Sequence, residues 1–375
     1  MDFGFSDVQV QVQTLARKIL DDKVSPATLA RYDEYQQERF DRDLWRTLLG
    51  AGLPGVAIAE RHGGMGLGFT ELGLFIEELG RSLAPVPVLT HCVAAMLPLQ
   101  QFAPAALQER VLPAAARGDV LLTGAFWWGQ PGVPDDPVDA TLEAGGLRLR
   151  GCCEGVPFAL QADKVLLAAR HADGTAIVLL DTAAEGVGMS PMQVTHFEPH
   201  YRVELQDVLV PAADIVCHEG GEALLDWTRE RCIAALCAQQ LGAADYAMRM
   251  AASYTSEREQ FGVPIATFQA VGHRMADCYI DVECLRLCAY QAISMLNEGG
   301  DATTEVQIAK IWAGDVGHRV SYACQHVHGG TGIDRDYPLW RYCLWLRYNE
   351  MTLGNSSAHS ADLGSRLAAG QALFN

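Results

Sequence analysis

Apolar residues three or four apart run without a break from Phe268 through Val271, Met275, Tyr279, Val282, Leu285, Ala289 and Ile293 to Leu296. That spacing is the period of one helix face, and it predicts a helix of about 30 residues, roughly 45 Å long at ~1.5 Å per residue. An apolar stripe of that length is buried only by neighbours of similar length. Residues 231–256 and 303–327 carry the same period, and Gly299-Gly300 breaks the chain between the second and third stretches. The expected packing over residues 220–375 is therefore an antiparallel helical bundle.

Upstream the texture differs. Residues 1–118 read as a helical region: Val8, Val12, Leu15 and Ile19 recur at helical spacing, as do Leu72, Phe75, Ile76 and Leu79 ahead of Gly80. Gly52, Pro54 and Gly55 break that region into short helices. Residues 119–219 change to short β-prone runs between turn signals, at 120–128, 147–151, 164–170, 175–181 and 201–210. Asp173-Gly174, between two apolar runs, signals a hairpin. This stretch is expected to form a small antiparallel β-sheet or barrel domain with one packed and one wet face. The chain thus reads as mainly α with a central β domain, in three domains at 1–118, 119–219 and 220–375.

Charge and cysteine usage narrow the function classes. The chain carries 28 Lys+Arg against 46 Asp+Glu, a formal net charge of −18, and no basic run. Such a surface repels phosphate backbones and anionic lipid, so no nucleic-acid partner is expected. Its 11 cysteines are an odd number, scattered singly except for Cys152-Cys153, with no C-x-x-C pair and no Cys/His spacing suited to zinc. They read as reduced thiols of a cytoplasmic protein. No run of 18 apolar residues is present and the N-terminus has no apolar stretch of signal length, so neither a membrane span nor secretion is expected.

Four motifs invite chemistry. Gly63-Gly64-Met65-Gly66-Leu67-Gly68 lacks the spacing of a dinucleotide loop and reads as a tight turn. His326-x-His328 has no carboxylate or cysteine at a spacing that would complete a metal site, and no metal is expected. The adjacent Gly329-Gly330-Thr331-Gly332 either caps a helix or leaves bare N–H groups for a cofactor pyrophosphate or ring edge. Ser256 to Gly262, with Phe268 and Gln269, places a guanidinium, aromatics and amides at a helix-helix turn; it is either a solvated turn or a clamp for a flat, anionic ligand. Trp127, Trp128 and Trp340 are either core residues or pocket walls.

Together these stretches resemble the acyl-CoA dehydrogenase family over nearly the whole chain. The resemblance rests on Glu60 with Gly63-Gly64-Met65-Gly66, Glu77-Glu78-Leu79-Gly80-Arg81 and Asp207 to Pro211. It continues in Glu257 to Gly262 with Phe268-Gln269-Ala270, and in Gln325 to Gly332 followed by Asp336-Tyr337-Pro338. It implies an N-terminal helical domain, a central β domain, a C-terminal four-helix bundle, oligomers, and FAD near a subunit interface. It also implies α,β-dehydrogenation of an acyl-CoA substrate, with electrons passing to an electron-transfer flavoprotein. By position, Arg258, Phe261, Phe268 and Gln269 fall on one flavin-binding run, and Gln325, His326, Gly329 and Gly330 on a second.

The match fails at the base. The family's usual E-G-T falls on Leu353-Gly354-Asn355, leaving only Asn355 as a cofactor contact, and the minority base position falls on Cys232. The nearest carboxylate is Glu350, three residues early. The family's Gly-Ser-Asp at the flavin ring is also absent from Thr123 to Pro131. The tail Glu350-Met351-Thr352-Leu353-Gly354 is similar to that of subunits of heteromeric bacterial acyl-CoA dehydrogenases acting on steroid or bile-acid side chains. The resemblance thus implies the subunit without the glutamate, working with a homologous partner that carries it. The alternatives are a self-sufficient dehydrogenase with a non-standard base such as Glu350, a non-catalytic relative, or an acyl-CoA oxidase.

Overall fold

The computed structural model describes residues 4–35, 38–125, 138–172 and 174–370. Trp127, Trp128, Asp173 of the expected hairpin and residues 126–131 of the flavin-ring stretch lie outside the described residues. Helices α1 (Asp7–Lys23), α2 (Pro26–Leu29), α3 (Arg42–Gly50), α4 (Phe69–Ser82), α5 (Leu97–Phe102) and α6 (Ala105–Arg117) come first. Strands β1 (Leu122–Ala125), β2 (Asp139–Glu143), β3 (Gly146–Pro157), β4 (Lys164–His171), β5 (Gly174–Asp181), β6 (Val187–Met192), β7 (His200–Pro211) and β8 (Ile215–Cys217) follow. Helix α7 (Gly221–Glu257), the short strands β9 (Glu259–Gln260) and β10 (Val263–Pro264), and helices α8 (Gln269–Glu298), α9 (Thr303–His328), α10 (Leu339–Met351) and α11 (Ser356–Ala368) complete the chain.

Local chemistry sets the helix ends. Ser6 and Gln9 form a reciprocal capping box at α1, and Asp41 accepts from the N–H groups of Asp43 and Leu44 at the start of α3. Helix α8 runs for 30 residues, the length its apolar period predicts, and stops at Gly299 with φ 77°. Helix α7 is longer than its period suggests, beginning at Gly221 rather than 231.

The chain forms two compact units, each assembled from separated stretches. One gathers residues 1–26, 73–84 and 233–375. Here the long helices pack as expected, and Gln240 of α7 donates from Nε2 to the carbonyls of Ala313 on α9 and Leu346 on α10, both at 3.0 Å. Glycines set the closest crossings: a Cβ at Gly242 of α7 would stand 1.9 Å from the Glu77 carbonyl oxygen of α4.

The other unit gathers residues 27–72 and 85–232 and contains the eight-stranded sheet, in the order β6-β7-β3-β2-β4-β5-β8 with β1 also on β4. Its sequential neighbours pair antiparallel, including β4 with β5 from Lys164↔Asp181 to His171↔Gly174. Two features depart from the sequence expectation. β1 and β2 run parallel to β4, within an open strand order that is the sheet, not the barrel, of the two forms expected. No wet face exists along β4 and β5, where Val165 to Ala169 and Ala176 to Leu180 are buried on both sides. The helical turn Leu89–Met96 packs against β1 and β4, so these strands read as continuous apolar runs instead of alternating ones.

Candidate functional site

The two runs singled out for cofactor binding meet at one end of the helical unit. The N–H of Arg258 donates to the Tyr254 carbonyl at 2.8 Å, and its own carbonyl accepts from Ile265 N–H at 2.8 Å. These bonds close a hairpin of β9 and β10 whose turn places both Phe261 (φ 57°) and Gly262 (φ 80°) in the left-handed region. Two consecutive positive φ angles are what a tight two-residue hairpin demands, and glycine supplies only one of them without strain. The bend holds Phe261 almost fully in solvent, 94% exposed, edge-on to Phe268 at 6.2 Å between ring centroids. Arg258 and Gln269 are exposed beside it, and the Arg258 guanidinium pairs with no carboxylate among the described residues.

One turn back on α7, Tyr254 stacks on His328 at the end of α9, with centroids 4.2 Å apart. His328 lies between the Cys324 carbonyl (Nδ1, 2.7 Å) and the Tyr337 hydroxyl (Nε2, 3.1 Å), and burial lowers its pKa, so it is a neutral packing residue. This stack joins the end of α7 that leads into the Arg258 turn to the end of α9 that carries Gln325, His326, Gly329 and Gly330. His326 is exposed and stacks on Tyr322 instead, so the two imidazoles do not converge on a metal. A Cβ at Gly329 or Gly330 would meet nothing within 4 Å, and Gly329 adopts φ 59°, ψ −133°, a region open essentially to glycine alone. An unpaired guanidinium, outward aromatic rings and bare glycine backbone suit a diphosphate carrying a flat heteroaromatic ring.

Asn355 lies elsewhere. Its side chain accepts from Ala358 N–H as the cap of α11, in a pocket of about 260 Å³ lined by Asp315, His318, Arg319, Glu350, Ser356 and Ser357. From His318 to Gln325 is roughly 10 Å along α9.

Neither Leu353 nor Cys232, where the resemblance led us to expect a base, offers a proton acceptor. Leu353 is buried, 3% exposed, yet keeps a left-handed backbone (φ 59°) followed by Gly354 at φ 93°. Its carbonyl accepts from buried His359 Nε2 at 2.9 Å, which ties the turn to α11. Cys232 is fully buried, and burial pushes its thiol far above the ordinary range, which makes it inert. The Glu350 carboxylate is occupied by Arg347 (2.6 Å) and lies 3.6 Å from His318. Trp340 is buried against Arg335 and Arg341 with Nε1 donating to the Arg335 carbonyl at 3.0 Å, a core role.

One cluster escaped the sequence reading. In the sheet unit His196, Glu198 and His200 bring three possible ligand atoms within 4.8 Å of one another. Burial pushes His196 down to about 4, so its imidazole is neutral. The H-x-E-x-H pattern was the available signal, but spacing by two carries meaning only if the backbone bends.

Comparison with known proteins agrees with this geometry. Residues 6–119 match the acyl-CoA dehydrogenase N-terminal domain and residues 225–368 the acyl-CoA dehydrogenase C-terminal domain. The chain is similar to acyl-CoA dehydrogenase FadE27 of Mycobacterium tuberculosis, 35% identical over 98% of this chain and 99% of that protein. It is also 32% identical to acyl-CoA dehydrogenase FadE28 of the same organism, over 87% of this chain and 93% of that one. Among solved structures, the ChsE4-ChsE5 complex from Mycobacterium tuberculosis contains a chain with TM-score 0.93 and 35% identity, covering 99% of this chain and 100% of that one. A variant of the Tcur3481-Tcur3483 steroid ACAD superposes with TM-score 0.88 at 37% identity, covering 97% and 98%.

Proposed function

The chain belongs to the acyl-CoA dehydrogenase family, oxidoreductases acting on CH–CH donors, and we propose that it is the subunit of a hetero-oligomer that lacks the catalytic glutamate. The observation that carries this reading is Leu353. Leu353 falls where the resemblance places the family's base; its turn has a left-handed bend and a tie to His359, and the side chain it buries there is an alkyl group, not a carboxylate. Removing an α-proton from a thioester needs a carboxylate poised near working pH. A homologous partner subunit supplies it in this proposal.

FAD, when bound, supplies the hydride acceptor for the β-hydrogen. This chain's residues hold and orient it: Arg258 engages the diphosphate, Phe261 and Phe268 offer ring surfaces, and Gln269 and Gln325 offer amides. Gly329 and Gly330 present backbone N–H groups unobstructed by any Cβ. His326 lines the same end. The solved relatives described as a ChsE4-ChsE5 complex and as a Tcur3481-Tcur3483 steroid ACAD support the two-chain reading, and the second supports a steroid-derived acyl-CoA, for which we propose a steroid or bile-acid side chain. Electrons would leave to an electron-transfer flavoprotein. The eleven free cysteines fit a cytoplasmic setting, and no helix among the described residues is long and apolar enough to cross a membrane.

Purification alone and together with a homologous glutamate-bearing chain tests the proposal. The expected outcome is flavin bleaching on anaerobic addition of acyl-CoA in the two-chain preparation only. A single-chain preparation that turns over substrate at ordinary speed, and loses that activity on Glu350→Gln, would establish the self-sufficient alternative instead.

A further inference from the structure

We propose that His196, Glu198 and His200 form a binding site for a divalent transition metal of the zinc class, independent of the dehydrogenation chemistry. The three residues occupy the connection between β6 and β7 and the first position of β7. In a straight strand, side chains two apart share a face but stand about 6.6–6.8 Å from each other, too far to share one ion. Here the donor atoms lie within 4.8 Å because Phe197 adopts φ 65° and folds the run on itself. A bulky residue is strained in the left-handed region and persists there only where the surroundings impose it.

The geometry is convergent. His200 Nε2 lies 3.1 Å and His196 Nε2 3.8 Å from the same carboxylate oxygen, Glu198 Oε1. Tetrahedral zinc, with bonds of about 2.0–2.2 Å, separates its ligand atoms by roughly 3.3–3.6 Å, so the donors need to close by at most about 1.5 Å to embrace an ion. His200 is anchored by pairing with Pro157 of β3 and Met192 of β6, so one ligand is fixed by the sheet while two come from the connection. Both imidazoles are buried and the carboxylate side chain is 18% exposed, so an ion would reach the cluster past Glu198.

Arg39 is buried and its charge acts on His196, opposing part of the negative charge of Glu198. The ligand set itself, two imidazoles and one carboxylate, is of the two-histidine, one-glutamate kind that holds zinc. Two nitrogens and one oxygen favour zinc or its neighbours over magnesium or calcium, which prefer all-oxygen shells. Its role would be to pin the β6–β7 connection to the sheet.

The test uses the full chain, purified without chelator, given zinc with its thiols blocked, and assayed for bound metal by mass spectrometry. About one zinc per chain and a higher melting temperature are expected. Glu198→Gln keeps the size of the side chain and one acceptor oxygen while removing the charge, and it should weaken zinc binding by at least ~10-fold. Cobalt in place of zinc should give ligand-field bands without thiolate charge transfer. Equal zinc uptake by the wild type and Glu198→Gln, thiolate bands with cobalt, or no uptake at all would each overturn the proposal and leave the cluster a hydrogen-bonded clasp.

Discussion

A charged lysine inside a helical bundle is unfavourable unless its protons are used, and Lys310 of α9 is fully buried with Nζ donating to the carbonyls of Asn349 (3.0 Å) and Glu350 (3.1 Å). Those carbonyls belong to the last turn of α10, whose unpaired oxygens need donors, so the side chain caps that helix just before Leu353. Burial lowers the Lys310 pKa from 10.5 to about 8. Between these values the unfolded chain binds the proton and the folded chain does not, so this residue's contribution to stability rises as pH climbs from about 8 to 10.5. By linkage the rise is of order 1–3 kcal/mol. Buried thiols with raised pKa, such as Cys232 and Cys237, oppose it above pH 9, so the effect is read as a difference between variants. Lys310→Met should destabilise by about 1–3 kcal/mol at pH 7, and urea denaturation should show the gap widening towards pH 10. A gap independent of pH would mean the amine is not desolvated. Lys310 sits on the apolar period of α9, which is why sequence reading passes over it. The burial of Cys232 and Leu353 agrees with their residue types, a thiol and an alkyl chain standing where the resemblance led us to expect a base. His196, Glu198 and His200 were not, since only the Phe197 bend brings them together.

Among the elements, the helix crossings depend on glycines whose role sequence alone leaves ambiguous. Glycine inside a helix is about 1 kcal/mol worse than alanine, so each Gly→Ala change begins with a favourable contribution. At Gly242 the new Cβ would stand 1.9 Å from the Glu77 carbonyl oxygen and 2.7 Å from Arg81 N, both backbone atoms that cannot rotate away. The collision outweighs the propensity gain, and Gly242→Ala should cost more than about 3 kcal/mol as α7 and α4 are forced apart. Gly364 in α11 is exposed with nothing within 4 Å of its would-be Cβ, so Gly364→Ala should stabilise by roughly 0.5–1 kcal/mol. Thermal melts of the two variants should move in opposite directions; a shared direction would refute the packing argument. Element existence was readable where the apolar period was long, as in α8. It faltered at the start of α7, where Leu224 is a lone deeply buried anchor ahead of Thr228, and at the parallel pairing of β1 with β4, which no local pattern encodes.

For the molecule as a whole, sequence order suggested three successive domains, whereas the compact units interleave, with residues 73–84 joining the long helices rather than their sequence neighbours. Which stretches pack together is decided by contacts such as Gly242 against Glu77, and periodicity cannot report them. The surface poses the last question. On α8, Ile280 and Leu287 are 57% and 69% exposed, two turns apart on the face opposite buried Val282, Leu285 and Ala289. Exposed aliphatics on a chain of net charge −18 gain by being covered, and the proposed hetero-oligomer offers the cover. Burying each contributes about 1.5–3 kcal/mol, and replacing both with a carboxylate adds a desolvation cost. Ile280→Glu with Leu287→Glu should therefore weaken the two-chain assembly by at least about 3 kcal/mol, more than a hundredfold in dissociation constant. Sedimentation velocity should show the complex falling apart while helical circular dichroism is unchanged, because neither side chain contributes to its own core. An intact complex carrying both substitutions would place the partner on another face.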